Sequence, residues 1–317
     1  MKAVYVEKIG GPENLIYADL PKPEPGPGQA LVKIAASGVN FIDVYFRIGL
    51  YPATPPVVLG SEGAGTVEAV GPDVANVRVG DRVAYAMARG SYAEHALVPA
   101  WQLVTIPASV DFQTGAAAMV QGMTAHYLTH STYPLKSGDS CLIHAAAGGT
   151  GQMLVQMAKM LGAHVVATVG TEEKARQAKE TGADEVIIYT KEDFVVKAKG
   201  KMNVVYDPVG KSTFLQSLDC LRPRGMMVSF GNASGPVPDF SPLILMQKGS
   251  LFLTRPSLAS YSSTPEELAW RAGDVLKWVT EGKLKIHIHK VYPLAEAAQA
   301  HRDLEGRKTT GKLLLTP

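Results

Sequence analysis

Two patterns of apolar and polar residues follow one another along the chain. Up to about Val120, short runs rich in β-branched residues alternate with clusters of proline and glycine, as where residues 30–35 follow residues 21–28. This alternation predicts a domain made mostly of β-strands and turns. The pattern continues through residues 65–71 and 79–83, and it predicts no long amphipathic helix in this part of the chain.

From about Gly122 the pattern changes to strands that alternate with amphipathic helices. The predicted elements run strand, helix, strand, helix, strand over residues 140–145, 149–161, 164–169, 172–181 and 185–189. Such alternation indicates right-handed βαβ units in a parallel sheet with helices on both faces. After a predicted helix at 265–280, the remaining segments are strand-like and resemble the first part, so we expect the tail to rejoin it.

The change of pattern marks a domain boundary, because 317 residues exceed what one hydrophobic core usually supports. We predict a discontinuous β-rich domain from residues 1–121 and 258–317. A second domain, inserted at residues 122–257, carries the parallel sheet. The predicted fold class is therefore α/β with a separate β-rich domain.

Charge and cysteine content narrow the classes of function. The 31 basic and 29 acidic residues are mixed along the chain and leave a net charge of +2, with no basic run that would neutralise a nucleic-acid backbone. Only Cys141 and Cys220 are present, so no disulfide framework is indicated. We find no secretory signal pattern and no apolar stretch of membrane-spanning length. These features predict a cytoplasmic protein with no nucleic-acid or membrane partner.

The strongest chemical signal is a glycine-rich turn between a predicted strand and a predicted helix. Free N–H groups at a helix start attract a pyrophosphate, Gly148 lets the backbone approach it, and Gly151 lets the helix pack against the strand. Ala146 stands where the first glycine of the usual fingerprint falls, so the match is imperfect. A plain turn between core elements is the alternative interpretation. The predicted cofactor-binding residues of the turn are Gly148, Gly149, Thr150 and Gly151.

The end of the next predicted strand favours NADPH over NADH. A site for NAD usually has an acidic residue about 20 positions after the fingerprint, where it binds the ribose hydroxyls. Here Gly170 takes that place, and Thr171 and Lys174 follow it. A 2′-phosphate therefore meets a hydroxyl and an ammonium group rather than a carboxylate. For Lys174 alone, the alternative is an ordinary solvated helix lysine.

Five runs spread along the chain are more specific than the glycine turn alone. They are GVNFIDVY at 38–45, GSEGAG at 60–65, the segment 138–151, FGNASG at 230–235 and RPSL at 255–258. Together they resemble the quinone oxidoreductase branch of the medium-chain dehydrogenase/reductase family, the branch that includes zeta-crystallin. The resemblance implies a GroES-like β-rich catalytic domain, completed by the C-terminal tail, and an inserted doubly wound Rossmann domain. It also implies a homodimer joined through the Rossmann sheets.

The resemblance further implies which residues surround the cofactor. Around the adenosine 2′-phosphate it implies Lys174, Tyr189 and Arg307. Beside the nicotinamide it implies Asn40, Tyr45 and Thr124. For the pocket of the nicotinamide ribose or ring it implies Phe230 and Asn232. Without the resemblance, Tyr189 is an aromatic residue at a strand end and Arg307 is a surface charge.

The same comparison predicts that no metal is bound. Zinc-dependent relatives hold a catalytic metal through a cysteine where this chain has Asn40 and a histidine where it has Ser61. Amide and hydroxyl groups are poor zinc ligands compared with thiolate and imidazole. Without a Lewis acid, hydride transfer favours acceptors that are already electron-poor, such as quinones and α,β-unsaturated carbonyl compounds.

The sequence thus predicts an NADPH:quinone oxidoreductase. Asn40 and Tyr45 are the candidates for hydrogen bonding to a developing oxyanion, and Tyr51 is a weaker one, because a tyrosine in a β domain is more often a packing residue. The alternative enzyme is an NADPH-dependent alkenal or enone double-bond reductase. The alternative outside enzymology is a structural or RNA-binding protein that holds NADPH, although no basic and aromatic surface motif supports RNA binding. Hydride transfer and single-electron transfer both fit the sequence.

Overall fold

The computed structural model describes every residue from Met1 to Pro317, and these residues form two compact units. Unit 1 combines Met1–Met123 with Ser262–Pro317, and unit 2 is Thr124–Tyr261. The divisions fall after residues 123 and 261, whereas the sequence pattern placed them after residues 121 and 257. One helix, Phe112–Tyr127, continues through the first division.

The first segment of unit 1 contains eight strands and two helices. The strands are β1 (Lys2–Val6), β2 (Ile16–Asp19), β3 (Gln29–Val39), β4 (Val57–Val58), β5 (Glu62–Val70), β6 (Arg82–Ala86), β7 (His95–Pro99) and β8 (Val104–Thr105). The helices are α1 (Phe41–Arg47) and α2 (Phe112–Tyr127). A π-helical turn, Leu128–Thr132, follows α2.

Unit 2 alternates strands and helices. The strands are β9 (Ser140–Ile143), β10 (His164–Val169), β11 (Glu185–Ile188), β12 (Met202–Asp207), β13 (Leu221–Ser229) and β14 (Phe252–Thr254). The helices are α3 (Gly149–Met160), α4 (Glu172–Thr181), α5 (Phe194–Ala198), α6 (Phe214–Cys220), α7 (Leu243–Gln247) and α8 (Leu258–Tyr261). The strands form one parallel sheet in the order β11-β10-β9-β12-β13-β14. The order reverses between β9 and β12, and ligands of doubly wound sheets bind at such switch points.

The tail returns to unit 1 with four elements. These are α9 (Pro265–Thr280), β15 (Ile288–Pro293), α10 (Ala297–Glu305) and β16 (Lys312–Thr316). Strand β16 pairs antiparallel with β3 and parallel with β15. The tail thereby completes a seven-stranded sheet in the order β15-β16-β3-β5-β6-β8, in which β7 also pairs with β3. A smaller sheet has the order β2-β1-β4.

Each sheet is held by the side chains that its strands bury. In unit 1, Val32 and Ile34 of β3 pack with Tyr85 of β6 in one buried cluster. In unit 2, Leu142 and Val205 belong to a cluster formed by neighbouring parallel strands and the helices that cover them. Strands of parallel sheets are buried on both faces, which explains their nearly unbroken apolar runs.

The structure confirms three elements that the sequence pattern predicts and contains two helices that it does not predict. The predicted segments 164–169, 172–181 and 265–280 coincide with β10, α4 and α9. Helix α2 was missed because most of it is buried, so it lacks the polar stripe that marks an amphipathic helix. Helix α10, in a tail expected to be strand-like, was missed as well. None of the helices combines the length and hydropathy needed to cross a bilayer.

Candidate functional site

The glycine-rich turn lies at the carboxyl end of β9, beside the switch point of the parallel sheet. Helix α3 begins at Gly149, with Gly148 as an extended N-cap that offers no side chain to the helix end. A side chain at position 151 would overlap the carbonyl oxygen of Ala145 and come within 2.7 Å of the Cα of Ala146. Glycine therefore permits the close approach of helix and strand. The N–H groups of the first turn, which lack partners within a helix, are available to an anion.

The turn can have Ala146 in place of the usual first glycine because the left-handed backbone conformation falls one residue earlier, at Ala145. Ala145 has a φ of 52°, in the left-handed region that side chains seldom adopt. Ala146 is then fully buried, and its N–H donates to the carbonyl oxygen of Thr168 at 3.2 Å. The imperfect fingerprint thus still produces a tight strand-to-helix turn.

A buried histidine fixes the strand end beneath this turn. The two ring nitrogens of His144 lie 2.8 Å from Thr168 Oγ1 and 2.9 Å from Ser217 Oγ. Burial lowers the pKa of His144, with a smaller opposing effect from Asp207. The ring is therefore neutral at physiological pH, and it links β9 to β10 and α6 through hydroxyl groups.

Four of the residues predicted for the adenosine end lie just after the carboxyl ends of β10 and β11, namely Gly170, Thr171, Lys174 and Tyr189. The hydroxyl of Tyr189 lies so near Gly170 that a Cβ there would be 2.7 Å from it. The hydroxyl of Thr171 accepts from the N–H of Lys174 at 3.3 Å and so caps α4. Glu172, an exposed carboxylate on the same turn, pairs with Lys191 at 2.6 Å. The phenol of Tyr189 therefore lies beside Gly170, Thr171 and Lys174 belong to the start of α4, and the neighbouring carboxylate of Glu172 is paired with a lysine.

At the carboxyl ends of β12 and β13, an aspartate that sequence reasoning missed shapes the loop. Asp207 is fully buried and accepts from the N–H groups of Val209 (2.7 Å) and Gly210 (3.1 Å). Its carbonyl oxygen accepts from the N–H of Phe230 at 2.8 Å. These bonds fix the backbone next to Asn232, one of the predicted nicotinamide residues.

Asn232 and Thr124, two of the predicted nicotinamide residues of unit 2, have different settings. In the orientation that satisfies both neighbours, the Asn232 amide donates to Gly231 O at 3.0 Å and accepts from Arg255 at 3.3 Å. Thr124, on the part of α2 that belongs to unit 2, is 9% exposed. Whether these residues bind the nicotinamide stays a prediction.

In unit 1, Asn40 sits at the start of α1 inside a buried polar cluster. Its Nδ2 donates to Glu62 Oε1 at 2.8 Å, and its Oδ1 accepts from the ammonium of Lys312 at 2.8 Å. The ammonium also contacts Glu62 directly, and both of these side chains are completely buried. Burial lowers the pKa of Lys312 to about 7, against a smaller effect of the Asp43 charge in the opposite direction. The carboxylate of Glu62, in direct contact, further favours the charged ammonium.

Ser61 and Asp43 continue this cluster. Ser61 donates to Asp43 Oδ1 at 2.6 Å, and the N–H of Asn40 donates to Asp43 Oδ2 at 3.0 Å. The hydroxyl of Tyr92 also donates to Asp43 Oδ2, at 3.2 Å. Burial raises the pKa of Asp43 to about 6, and the hydrogen bonds from Ser61 and Asn40 act in the opposite direction.

A chain of hydrogen bonds with a defined direction leads from Asp43 to the surface. Arg47 has only donors, so His301 Nδ1, at 2.9 Å, must be an acceptor. The ring proton is then on Nε2 and faces Tyr92 at 3.1 Å. Arg47 also forms a two-pronged pair with Glu305 at 2.8 and 3.0 Å. Burial, together with the charge of Arg47, lowers the pKa of His301 to about 3.

Comparison with known proteins assigns the chain to a family. A protein-family model described as "Alcohol dehydrogenase GroES-like domain" matches residues 26–108. A second family model, described as "Zinc-binding dehydrogenase", matches residues 181–315. The quinone oxidoreductase of Pseudomonas aeruginosa is 48% identical, over 100% of this chain and 99% of that protein. This chain belongs to the quinone oxidoreductase family. The resemblance identified from the sequence is thus confirmed, as is the α/β fold with a GroES-like and a Rossmann domain.

Other members of the quinone oxidoreductase family are similar over their full length. The Escherichia coli quinone oxidoreductase, solved in complex with NADPH, has a TM-score of 0.98 to this chain, with 43% identity over 100% of both chains. The 2-haloacrylate reductase of Burkholderia sp is 42% identical, over 99% of this chain and 98% of that protein. The family therefore includes proteins that are named for two kinds of acceptor.

The donor groups of this quinone oxidoreductase family member do not fit zinc, although one matching description mentions it. No group of three or more histidine, cysteine, aspartate or glutamate residues is arranged to hold a metal ion. Asn40 and Ser61, at the positions of the zinc ligands in relatives, are an amide and a hydroxyl engaged with Glu62, Lys312 and Asp43. These are weak zinc donors, and the ammonium of Lys312 already places a positive charge beside Asn40.

The positions of Tyr45, Tyr51 and Arg307 do not by themselves indicate contact with a cofactor or a substrate. Tyr45 is 6% exposed, and its ring lies edge-on to Tyr51 with centroids 5.1 Å apart. This packing is typical of a structural residue. A contact of Tyr45 with substrate therefore stays a prediction. Arg307 is exposed, has a φ of 56° and follows α10 in unit 1. Its contact with the 2′-phosphate also stays a prediction.

Sequence reasoning missed most of the cluster around Asn40. Glu62 and Asp43 lie inside runs that carried the family resemblance, yet neither was given a role. Lys312 lies 272 residues from Asn40 along the chain, and only the pairing of β16 with β3 brings them together. The available signal was a lysine at the start of a strand, because three buried leucines follow Lys312.

Proposed function

We propose that this protein is an NADPH-dependent quinone reductase that works without zinc. The observation that carries the proposal is the likeness over the full chain to a quinone oxidoreductase solved with NADPH. The glycine cradle at the start of α3 supports a dinucleotide, and Gly170 supports NADPH because no acid occupies that place. The substrate is a small quinone or a related conjugated carbonyl compound.

The residues of the chain bind and orient, and NADPH supplies the hydride when it is bound. The first turn of α3 holds the pyrophosphate through N–H groups of Gly149, Thr150 and Gly151. A quinone is electron-poor, so holding it against the nicotinamide is sufficient for reaction and no metal is needed to activate it. Asn40 offers an N–H to the oxygen on which negative charge develops. The sequence and structure accommodate both hydride and single-electron transfer.

The remaining site residues are proposed for the two ends of the cofactor. For the adenosine 2′-phosphate we propose Gly170, Thr171, Lys174, Tyr189 and Arg307. For the nicotinamide end we propose Asn40, Tyr45, Thr124, Phe230 and Asn232. The phenol of Tyr189 beside Gly170, and the place of Thr171 and Lys174 at the start of α4, support four members of the first set.

Steady-state turnover tests the proposed function. Purified protein at catalytic concentration is mixed with NADPH and a benzoquinone or naphthoquinone, and NADPH oxidation is followed by its absorbance. We expect many turnovers per protein molecule with NADPH and a much larger KM for NADH. NADPH binding without turnover of any quinone would contradict the proposal and favour a structural or RNA-binding role.

A second candidate is reduction of a conjugated carbon–carbon double bond. The observation that favours it is the 42% identity to a 2-haloacrylate reductase over nearly the full chain. Comparing kcat/KM for a naphthoquinone with that for an α,β-unsaturated ketone and for a haloacrylate ranks the candidates. Fast reduction of the latter two with no quinone turnover would reverse the order.

We also propose that the protein is a cytoplasmic homodimer joined through the Rossmann sheets. Strand β14 is at the edge of the parallel sheet, and its Phe252 is 57% exposed. Nearby in sequence, Met246 and Leu243 are 60% and 54% exposed, which is unusual for apolar side chains in a protein that acts alone. The two cysteines, Cys141 and Cys220, are free and buried, which suits a reducing compartment.

A further inference from the structure

The amide of Asn40 is held on one edge by a completely buried ion pair. Lys312 Nζ contacts both Asn40 Oδ1 and Glu62 Oε1, and Asn40 Nδ2 donates to the same Glu62 oxygen. These contacts close a ring along the edge that contains Oδ1 and one Nδ2 hydrogen. The second Nδ2 hydrogen consequently points away from the ion pair.

The hydrogen-bonding capacity that remains on Asn40 is a single donor. A carboxamide oxygen has two acceptor positions, and here Lys312 (2.8 Å) and Gln121 Nε2 (3.4 Å) take both. One of the two N–H groups is engaged by Glu62. Rotating the amide by half a turn would set its NH₂ group against the ammonium and its oxygen against the carboxylate. The ion pair therefore fixes which way Asn40 faces.

The carboxylate of Glu62 is itself fixed from two other sides. Its Oε2 accepts from the backbone N–H of Val120 at 2.6 Å. On the other side is Gly38, where any side chain would overlap the Glu62 carboxylate. A buried ion pair seldom adds net stability compared with apolar side chains, because both charges lose their hydration. We therefore look for the role of this ion pair in its effect on Asn40, the side chain that it orients.

We propose that Lys312 and Glu62 are positioning residues that hold Asn40 as a hydrogen-bond donor to the carbonyl oxygen of the acceptor. The inference rests on the proposed quinone reductase function and specifies the group that stabilises the acceptor oxygen. The ammonium on Oδ1 withdraws electron density from the amide and makes its N–H a stronger donor. The ammonium of Lys312 thus acts on the acceptor oxygen through the amide of Asn40. Asn40 stands at the position where zinc-dependent relatives have a metal ligand.

A thermodynamic cycle tests the positioning role. The Lys312→Met/Glu62→Gln double variant replaces the ion pair by neutral groups of similar size, and it is made with Asn40 present and in an Asn40→Ala protein. We expect kcat for a naphthoquinone to fall roughly tenfold or more with Asn40 present, with little change in the KM for NADPH. In the Asn40→Ala protein, the same change should have no further effect on kcat. Equal losses in both proteins would overturn the proposal.

Arg271→Met is the matched control for removing a buried cation. Arg271 is 2% exposed and lies on α9, with its guanidinium over the ring of Trp270. We expect this variant to lower the melting temperature and leave kcat unchanged. A comparable loss of kcat in Arg271→Met would show that general loosening of unit 1 explains the effect, and it would overturn the proposal.

A spectroscopic measurement separates this inference from the proposed function. The side-chain amide signals of Asn40 are assigned in a nitrogen–proton correlation spectrum by their disappearance in Asn40→Ala. We expect two well-separated Nδ2 protons in the unaltered protein and a smaller separation in Lys312→Met/Glu62→Gln. An unchanged pair of signals would refute the positioning role. If the unaltered protein reduces no quinone, the proposed function fails, and these signals still decide whether the ion pair orients Asn40.

Discussion

At the scale of single residues, the proposed preference for NADPH depends on an absent carboxylate at Gly170 as well as on the ammonium of Lys174. Gly170 leaves room that the phenol of Tyr189 fills, and it brings no carboxylate to the place where we propose that the adenosine ribose binds. Lys174, half-buried at the start of α4, provides the nearest ammonium along the chain. An additional phosphate can therefore bind where an acidic side chain would repel it.

Lys174→Ala is expected to weaken binding of NADPH far more than binding of NADH, because only NADPH carries the 2′-phosphate. A hydrogen bond to a charged group contributes about 1.5 kcal/mol or more, which is roughly tenfold in Kd. Fluorescence titration with each cofactor measures the difference. Arg176→Ala, an exposed cation on the same helix, serves as the control and should not discriminate between the cofactors. Equal losses for both cofactors in Lys174→Ala would show that this lysine does not bind the phosphate.

The residues that could be predicted from the sequence are those whose chemistry is local. Gly148 and Gly151 act within one strand-to-helix turn, so their spacing indicates the turn directly. Asp43, Glu62 and Lys312 act through contacts between distant strands and one helix, and no local spacing indicates such partners. The family resemblance located Asn40 but gave no account of what holds it.

At the scale of elements, α10 is tied to α1 by polar contacts that run through buried side chains. Arg47 of α1 reaches both His301 and Glu305 of α10. His301 is completely buried between Arg47 and Tyr92, so its protonation adds a second cation beside the first. The junction of these helices is therefore sensitive to acid.

Acidification is expected to destabilise the fold through His301. Its pKa is about 3 in the folded protein and 6.5 ordinarily, so the unfolded chain binds more protons in this range. The free energy of unfolding should therefore fall as the pH drops from about 6.5 towards 3, by at most about 5 kcal/mol from this residue. Asp43, with its raised pKa, acts in the opposite direction between about 6 and its ordinary value.

Denaturant titrations at several pH values measure this effect. His301→Gln keeps an acceptor for Arg47 and a donor for Tyr92 but cannot be protonated, so its stability should fall less steeply with acid. His164→Gln, at a histidine whose side chain is 44% exposed, is the control and should follow the unaltered protein. Identical acid profiles for His301→Gln and the unaltered protein would contradict the assignment of this effect to His301.

Helix α4 could be predicted from the sequence because its buried and polar positions follow a helical period, whereas tertiary packing hides that period in α2. Helix α4 has a buried Ala178, charged exposed residues and a threonine cap, so periodicity and capping agree. Helix α2 is buried over most of its length, so its apolar residues show no helical period.

At the scale of the whole molecule, the exposed edge of the Rossmann sheet bears on assembly. Strand β14 leaves one row of backbone groups unpaired, and a second copy can pair with it. Phe252→Lys is expected to shift the protein from a dimer to a monomer of 33.8 kDa in sedimentation velocity, because a charge would be buried at the contact. Val196→Lys, at a side chain that is 73% exposed on α5, should leave the dimer intact. A monomeric unaltered protein would refute the homodimer.

The pairing of β16 with β3 imposes an order on biosynthesis. All of Thr124–Tyr261 leaves the ribosome before β16 does, so the Rossmann unit can complete its sheet during translation. Until β16 emerges, the nascent GroES-like unit has an open edge along β3 and leaves Glu62 without its cation. A translation product that stops before β16 therefore contains Asn40 but lacks both Lys312 and the strand that pairs with this edge of β3.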